Sequence, residues 1–143
     1  MIVLDSNVLS EAMRTHPDTN VIAWLASPQA ADAFTTAITV GEILTGIGML
    51  PRGKRRNRLR DITEQLLEDL QDRILVYDTN AARIYARLHE TRRTTGRPLR
   101  VEDGMIGAIC ARDNARLATR NVRDFADLGV ELIDPWRSGN AIT

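Results

Sequence analysis

The stretch MIVLDSNVLSE (residues 1–11) sets a continuous apolar run against an aspartate, and a helix-like pattern follows at once. Ile2–Leu4 contain no polar side chain, which predicts a short strand covered on both faces. Asp5, Ser6 and Asn7 are each competent to start a helix, because a short polar side chain accepts a hydrogen bond from an otherwise orphaned amide. A strand that hands over directly to a helix is the opening of a β-α unit. It also leaves a carboxylate, Asp5, at the carboxyl end of that strand.

The same alternation recurs downstream. DTNVIAWLAS (18–27) predicts a helix capped by Asp18, with Val21, Trp24 and Leu25 on one face, and DAFTT (32–36) a brief strand. The next helix is expected to begin near Thr39, where Thr39-Val40-Gly41-Glu42 has capping-box spacing, and to be broken by Gly46, Gly48 and Pro51. Leu59, Ile62, Leu66 and Leu70 recur at three- and four-residue steps and predict a long amphipathic helix over about 53–72. RILVYD (73–78) predicts a strand, and TNAARIYARLHETRR (79–93) a helix with Ala81, Ile84, Tyr85 and Leu88 inward.

In VEDGMIGAICARDN (101–114), Met105, Ile106, Ile109 and Cys110 are spaced so closely that the helix must be well buried. ARLAT (115–119) and VELID (130–134) are the last expected strands, before Pro135-Trp136. Strands apolar on both faces, alternating with helices, predict a three-layer α/β/α fold with a central, mainly parallel sheet flanked by helices. No repeat, low-complexity tract or Gly/Pro/Ser-rich linker interrupts it. One domain over residues 1–136 with a polar C-terminal tail, 137–143, is expected.

The chain has 143 residues, 43% hydrophobic and 27% charged, an ordinary globular balance. No stretch approaches the roughly 18 apolar residues of a membrane span, and no basic leader opens the chain, so a cytoplasmic location is expected. Cys110 is the only cysteine, which excludes an internal disulfide and a Cys-rich zinc site and suggests a small core residue. His16 and His89 are too few for a histidine metal site and suit surface or capping positions. Basic and acidic residues balance at 19 each, and every basic residue but Lys54 is arginine. Arginine suits bidentate phosphate contact, although codon bias in a GC-rich genome gives the same composition.

Function is concentrated in acids at strand ends. Ligand crevices of open α/β sheets lie beyond the carboxyl ends of the strands. Asp5 stands there, Glu42 follows the AFTT strand, Asp103 opens the 101–114 helix, and Asp124 follows ARLAT through RNVR. Each also suits a local role as cap, capping-box acid or first-turn acid. Convergence is what would distinguish a site. Two carboxylates about 4 Å apart repel by roughly 4 kcal/mol at an effective dielectric of about 20, so a cluster needs protons, separation or a cation. Oxygen-only ligands select hard ions such as Mg²⁺ or Mn²⁺, which acidify a water and stabilise a leaving oxygen in phosphoryl chemistry. Ser6, Asn7, Thr119 and Asn121 flank the acids as hydrogen-bonding support or as local caps.

MIVLDSNVLSE (1–11), AITVGEILTG (37–46), VEDGMIGAICA (101–111) and LATRNVRDF (117–125), closed by GVELIDPW (129–136), resemble the PIN-domain ribonucleases, specifically VapC-like toxins of type II toxin–antitoxin pairs. Each motif alone is weak, and their ordered set is specific. The resemblance implies a Mg²⁺- or Mn²⁺-dependent endoribonuclease, usually a homodimer, acting on a transfer or ribosomal RNA and restrained by a cognate VapB-type antitoxin. Its metal-binding and catalytic roles fall on Asp5, Glu42 and Asp103. For the fourth place some relatives have an acid where Asn121 stands, whereas this chain offers Asp124 three residues later, acting directly or through water.

Arg92, Arg93, Arg97 and Arg100 lie just before the Asp103 helix and are the expected RNA-backbone contacts. PRGKRRNRLR (51–60) suits either RNA or, more readily, a solvated helix face near a dimer contact. Rival phosphotransfer folds fit poorly. A haloacid-dehalogenase site wants a second aspartate where Asn7 stands, and a receiver domain wants a late lysine. The alternative from another class is a catalytically inactive PIN-like module that binds RNA or protein; retention of all the acids speaks against it.

Overall fold

Successive side chains of a strand point to opposite faces, and this alone makes the first strand a divider between two cores. In the computed structural model, which describes residues 1–139 and 141–142, β1 (Ile2–Leu4) sends Ile2 and Leu4 into one cluster and Val3 into the other. Helices α1 (Ser6–Ala12) and α2 (Thr19–Leu25) precede β2 (Thr35–Thr36), and α3 (Ala37–Gly48) and α4 (Lys54–Asp69) precede β3 (Ile74–Leu75). Then come α5 (Thr79–Thr94), α6 (Val101–Arg112), β4 (Arg116–Ala118), α7 (Val122–Phe125), β5 (Leu132–Ile133) and β6 (Ala141–Ile142).

β1 pairs in parallel with β4, and β4 with β5, while β2 pairs in parallel with β3 and joins β1 through a parallel Val3–Phe34 bridge. The strand order is therefore β3-β2-β1-β4-β5-β6, with β6 antiparallel at the edge. The chain works outward from β1 to β3, then returns to the other flank of β1 to lay down β4. Strand order thus reverses between β1 and β4, the place where α/β sheets open a crevice. The three-layer α/β/α expectation holds. Val8, Leu9, Val21, Trp24, Ile43 and Ile47 cover one face, and Ile106, Cys110, Phe125 and Leu128 the other. Cys110 is a buried core thiol, its pKa pushed up to about 12 mainly by desolvation.

Several local expectations are corrected. α3 begins at Ala37, and its cap is Thr36, whose hydroxyl accepts the Thr39 N–H at 3.0 Å, so Thr39 and Glu42 form no capping box. A Thr three residues earlier, at the strand end, captures the Thr39 amide. Gly46 does not break α3, which runs on to Gly48. The 73–78 strand shrinks to Ile74–Leu75, because its only partner among the described residues is the two-residue β2. The apolar stripe of α4 is half-covered, with Leu59, Ile62 and Leu66 partly buried against the α1–α3 cluster. Within the 137–143 tail, Ala141 and Ile142 pair with Ile133 and Leu132 as β6.

α6 packs closely on α5 because Gly104 has no side chain. A Cβ there would lie 2.6 Å from Tyr85 Cε2 and 3.0 Å from Leu99 Cδ2. Overpacking costs about 1–3 kcal/mol and Gly→Ala in a helix returns about 1. Gly104→Ala is thus expected to lose up to about 2 kcal/mol in urea unfolding. Gly41→Ala, whose Cβ meets nothing within 4 Å, is expected to hold or gain stability.

Candidate active site

Asp5 takes its place because β1 ends one residue before it, where its N–H donates to the Ala118 carbonyl of β4 at 3.0 Å. One carboxylate oxygen, Oδ1, accepts the Ser6 N–H at 2.8 Å, so Asp5 is the N-cap of α1. The other, Oδ2, accepts the Thr119 hydroxyl at 2.7 Å and the Asn7 amide at 3.2 Å. Thr119 Oγ1 in turn accepts the Asn121 N–H at 3.0 Å, and Asn7 Oδ1 accepts the Arg120 N–H at 3.1 Å. The loops after β1 and β4 are thereby stitched together around a carboxylate only 3% exposed. Capping and site formation are compatible uses of the same side chain.

Of the expected supporting residues, Thr119 contacts Asp5 through its side chain, Ser6 through its amide, and Asn121 only indirectly, through its own amide on Thr119. Glu42 enters from the second turn of α3 and Asp103 from the first turn of α6, 8% exposed. Glu42 Oε1 is buried and has no hydrogen-bond partner among the described residues. Asp124, in α7, is exposed, but its charge reaches Asp103.

Mutual repulsion marks these acids as neighbours. Burial holds Asp5 above the usual carboxylate range, against the lowering pull of its bonds from Thr119, Ser6 and Asn7. Glu42 is raised by burial, then by repulsion from Asp5, Asp103 and Glu102. Asp103 is raised by burial and by Asp5, Asp124 and Glu102, with Arg100 opposing. Among the described residues, no three His, Cys, Asp or Glu side chains are already gathered at ligand spacing. Like charges without a counter-ion are expected to stand apart in this way.

The donor set nevertheless fits a hard cation. It offers carboxylate oxygens with hydroxyl and amide support, and a buried Glu42 oxygen that no described residue satisfies. In metal-free protein the raised values make the folded chain bind these protons more tightly than the unfolded one. The cluster's stabilising contribution is therefore complete below the ordinary 3.8–4.5 range and lost as pH rises through the raised values. In EDTA, Glu42→Gln and the wild type are expected to melt together near pH 4, with the variant ahead at pH 7; calorimetric melts across that interval check this.

The family model described as PIN domain matches residues 2–131. The chain belongs to the PIN-domain family. It is 36% identical over 137 residues to "VapC ribonuclease Y4jK" of Sinorhizobium fredii, covering 95% of this chain and 98% of that protein. It is 37% identical to "Toxin FitB" of Neisseria gonorrhoeae, over 95% of this chain and 99% of that one. In three dimensions it matches the crystal structure of FitAcB from Neisseria gonorrhoeae with a TM-score of 0.89 at 37% identity, covering 96% of this chain and 100% of that one.

This PIN domain uses its arginines differently from expectation. Arg92, 4% exposed, donates to the carbonyls of Asp124 and Ala126, and Arg97 to the Arg123 carbonyl and the Asp127 carboxylate. Those two hold α7 rather than facing solvent freely. Arg93 is exposed beside His89 and Pro98, and only Arg100, preceding α6, acts on Glu42 and Asp103.

Other cations gather beside Glu42. A cleft of about 890 Å³ runs from Ser6, Asn7 and Glu42 past Arg14, Arg55, Arg58 and Arg120 to Trp136. The 51–60 segment thus contributes Arg55 and Arg58 to the wall of the site cleft, not only a solvated face. Arg120 sits over the Trp136 ring, 5.2 Å from its centroid. Sequence inspection passed over Arg14, Arg120 and Trp136. The position of Arg120 directly after Thr119, and of Trp136 within GVELIDPW, was the available signal. No helix among the described residues is long and apolar enough to cross a membrane.

Proposed function

We propose that this PIN domain is a Mg²⁺-dependent endoribonuclease, with Mn²⁺ able to substitute, and the toxin of a type II toxin–antitoxin pair restrained by a VapB-type antitoxin. The single observation that carries the enzymatic proposal is the buried, unpartnered Glu42 oxygen in a crevice where Asp5 and Asp103 also act on it. The names of the relatives supply the toxin, and a solved structure 28% identical to this chain, a member of the VapBC family of toxin-antitoxin systems, supplies the partner.

Asp5, Glu42 and Asp103 would hold the ion, with Asp124 as the fourth acid, direct or through water. When bound, a divalent ion supplies Lewis acidity that lowers the pKa of a water and offsets charge on phosphate oxygens. The chain's own residues prepare for this. Thr119 and Asn7 fix the rotation of the Asp5 carboxylate, and the buried β1–β4 junction keeps that geometry rigid. Arg55, Arg58 and Arg120 line the approach with positive charge suited to an RNA backbone.

The purified chain is expected to cut transfer or ribosomal RNA with Mn²⁺ and not in EDTA, and its expression without a partner to arrest growth. Absence of Mn²⁺-dependent cleavage across those RNAs would sink the enzymatic proposal; harmless expression of an active enzyme would remove only the toxin. Arg55→Ala with Arg58→Ala should weaken RNA binding and flatten the log–log salt slope by about 1.4, roughly 0.7 for each lost single-strand phosphate contact. A slope equal to the wild type would assign these two arginines to something other than RNA.

A further inference from the structure

A buried guanidinium is costly unless its bonds are needed, and Arg92 is the most buried arginine of the chain, with its Nε unpartnered. From the last turn of α5, its Nη2 donates to the Asp124 carbonyl at 2.8 Å and to the Ala126 carbonyl at 2.7 Å. These carbonyls flank Phe125 at the end of α7. A four-residue helix cannot hold itself, and its terminal carbonyls have no partner inside the helix. Arg97 adds a third hold, donating to the Arg123 carbonyl at 2.7 Å and to Asp127 at 3.2 Å. Asp127, a non-glycine residue, has φ 66°, so the segment leaving α7 is turned sharply as well as tethered.

We propose that Arg92 is a positioning residue for Asp124: by gripping the backbone on both sides of Phe125 it sets the fourth carboxylate at the mouth of the Asp5–Glu42–Asp103 crevice. α7 packs against α6, the helix that carries Asp103, and the Asp124 charge raises Asp103, which agrees with this. The proposal rests on the metal-dependent nuclease reading and extends it, because Arg92 is buried against the backbone of α7 and would act only through that helix. A role confined to stability would lower the melting temperature and leave metal affinity unchanged.

The test is Mn²⁺ titration calorimetry on the full chain, with cleavage measured in parallel, for Arg92→Met, Arg92→Lys, Asp124→Asn and the Arg92→Met/Asp124→Asn double variant. Arg92→Met should weaken Mn²⁺ binding by about 10-fold, the low end of the effect of removing an outer-shell partner. Lysine should recover part of it, since its ammonium can reach a carbonyl. In the Asp124→Asn background Arg92→Met should change affinity by less than about 2-fold, because the carboxylate it positions is gone. Wild-type affinity in folded Arg92→Met, or an undiminished 10-fold loss in the Asp124→Asn background, overturns the proposal.

Should Arg92→Met not fold, Arg97→Gln decides, since Arg97 is 40% exposed and holds the neighbouring carbonyl. A loss of Mn²⁺ affinity that disappears with Asp124→Asn supports the proposal; unchanged affinity overturns it. A wild-type chain that neither binds Mn²⁺ nor cleaves RNA removes the nuclease reading and this proposal together. Intact binding and cleavage with an indifferent Arg92 removes this proposal alone.

Discussion

Asp103→Asn is expected to lower Mn²⁺-dependent RNA cleavage by about 10²–10³-fold or more, the range lost when one preorganised electrostatic contact to a reacting phosphate disappears. In EDTA at pH 7 the same variant is expected to melt at a higher temperature than the wild type. Both directions follow from one environment. The Asp103 carboxylate is buried and raised by desolvation and by three neighbouring acids, so ionising it without a cation is unfavourable. Its place in the first turn of α6 earns back some of that cost through the helix dipole, about 0.3–1 kcal/mol. The net upward shift says that burial and repulsion win. Asparagine keeps the shape and removes the charge. A variant that cleaves like the wild type would take Asp103 out of the chemistry, and one that melts lower in EDTA would make it a structural acid.

Phe125→Ala is expected to produce the largest loss of stability among simple truncations near the site, about 3–5 kcal/mol. For a chain of this size that corresponds to roughly 6–20 °C in melting temperature, at about 2–4 °C per kcal/mol. Phe125 is fully buried and belongs to the cluster of Val3, Ile106, Leu117, Leu128 and Leu132. It is the only fully buried side chain of α7, so its ring anchors that helix from within while Arg92 and Arg97 hold its carbonyls from outside. Urea unfolding measures the loss directly. A change under about 1 kcal/mol would mean that α7 closes the cavity by shifting, in which case Asp124 should move with it and Mn²⁺ affinity should fall.

How much was legible beforehand depended on the range of the interaction. The run Ile2–Leu4 and the cap at Asp18 were read correctly, and the α1 cap was narrowed to Asp5, Ser6 or Asn7, because each is a matter of a few adjacent residues. The supposed capping box at Thr39 failed by competition: Thr36 at the strand end reaches the same amide, and spacing alone does not choose between two nearby threonines. Asp5, Glu42 and Asp103 were picked out by their places after strands or at helix starts, and the structure brings them into mutual electrostatic contact.

The arginines show where such inspection ends. Arg92 and Arg100 looked alike beside the Asp103 helix, yet one is buried against carbonyls 32 and 34 residues away and the other acts on the acids. Hydrophobic period and helix-start chemistry are local properties, so the order of β-α units and the three layers were already present in the chain's text. Which charge is free to meet a ligand is set by partners remote in sequence, and it emerged only once β4 returned beside β1 and α7 closed over the end of α5.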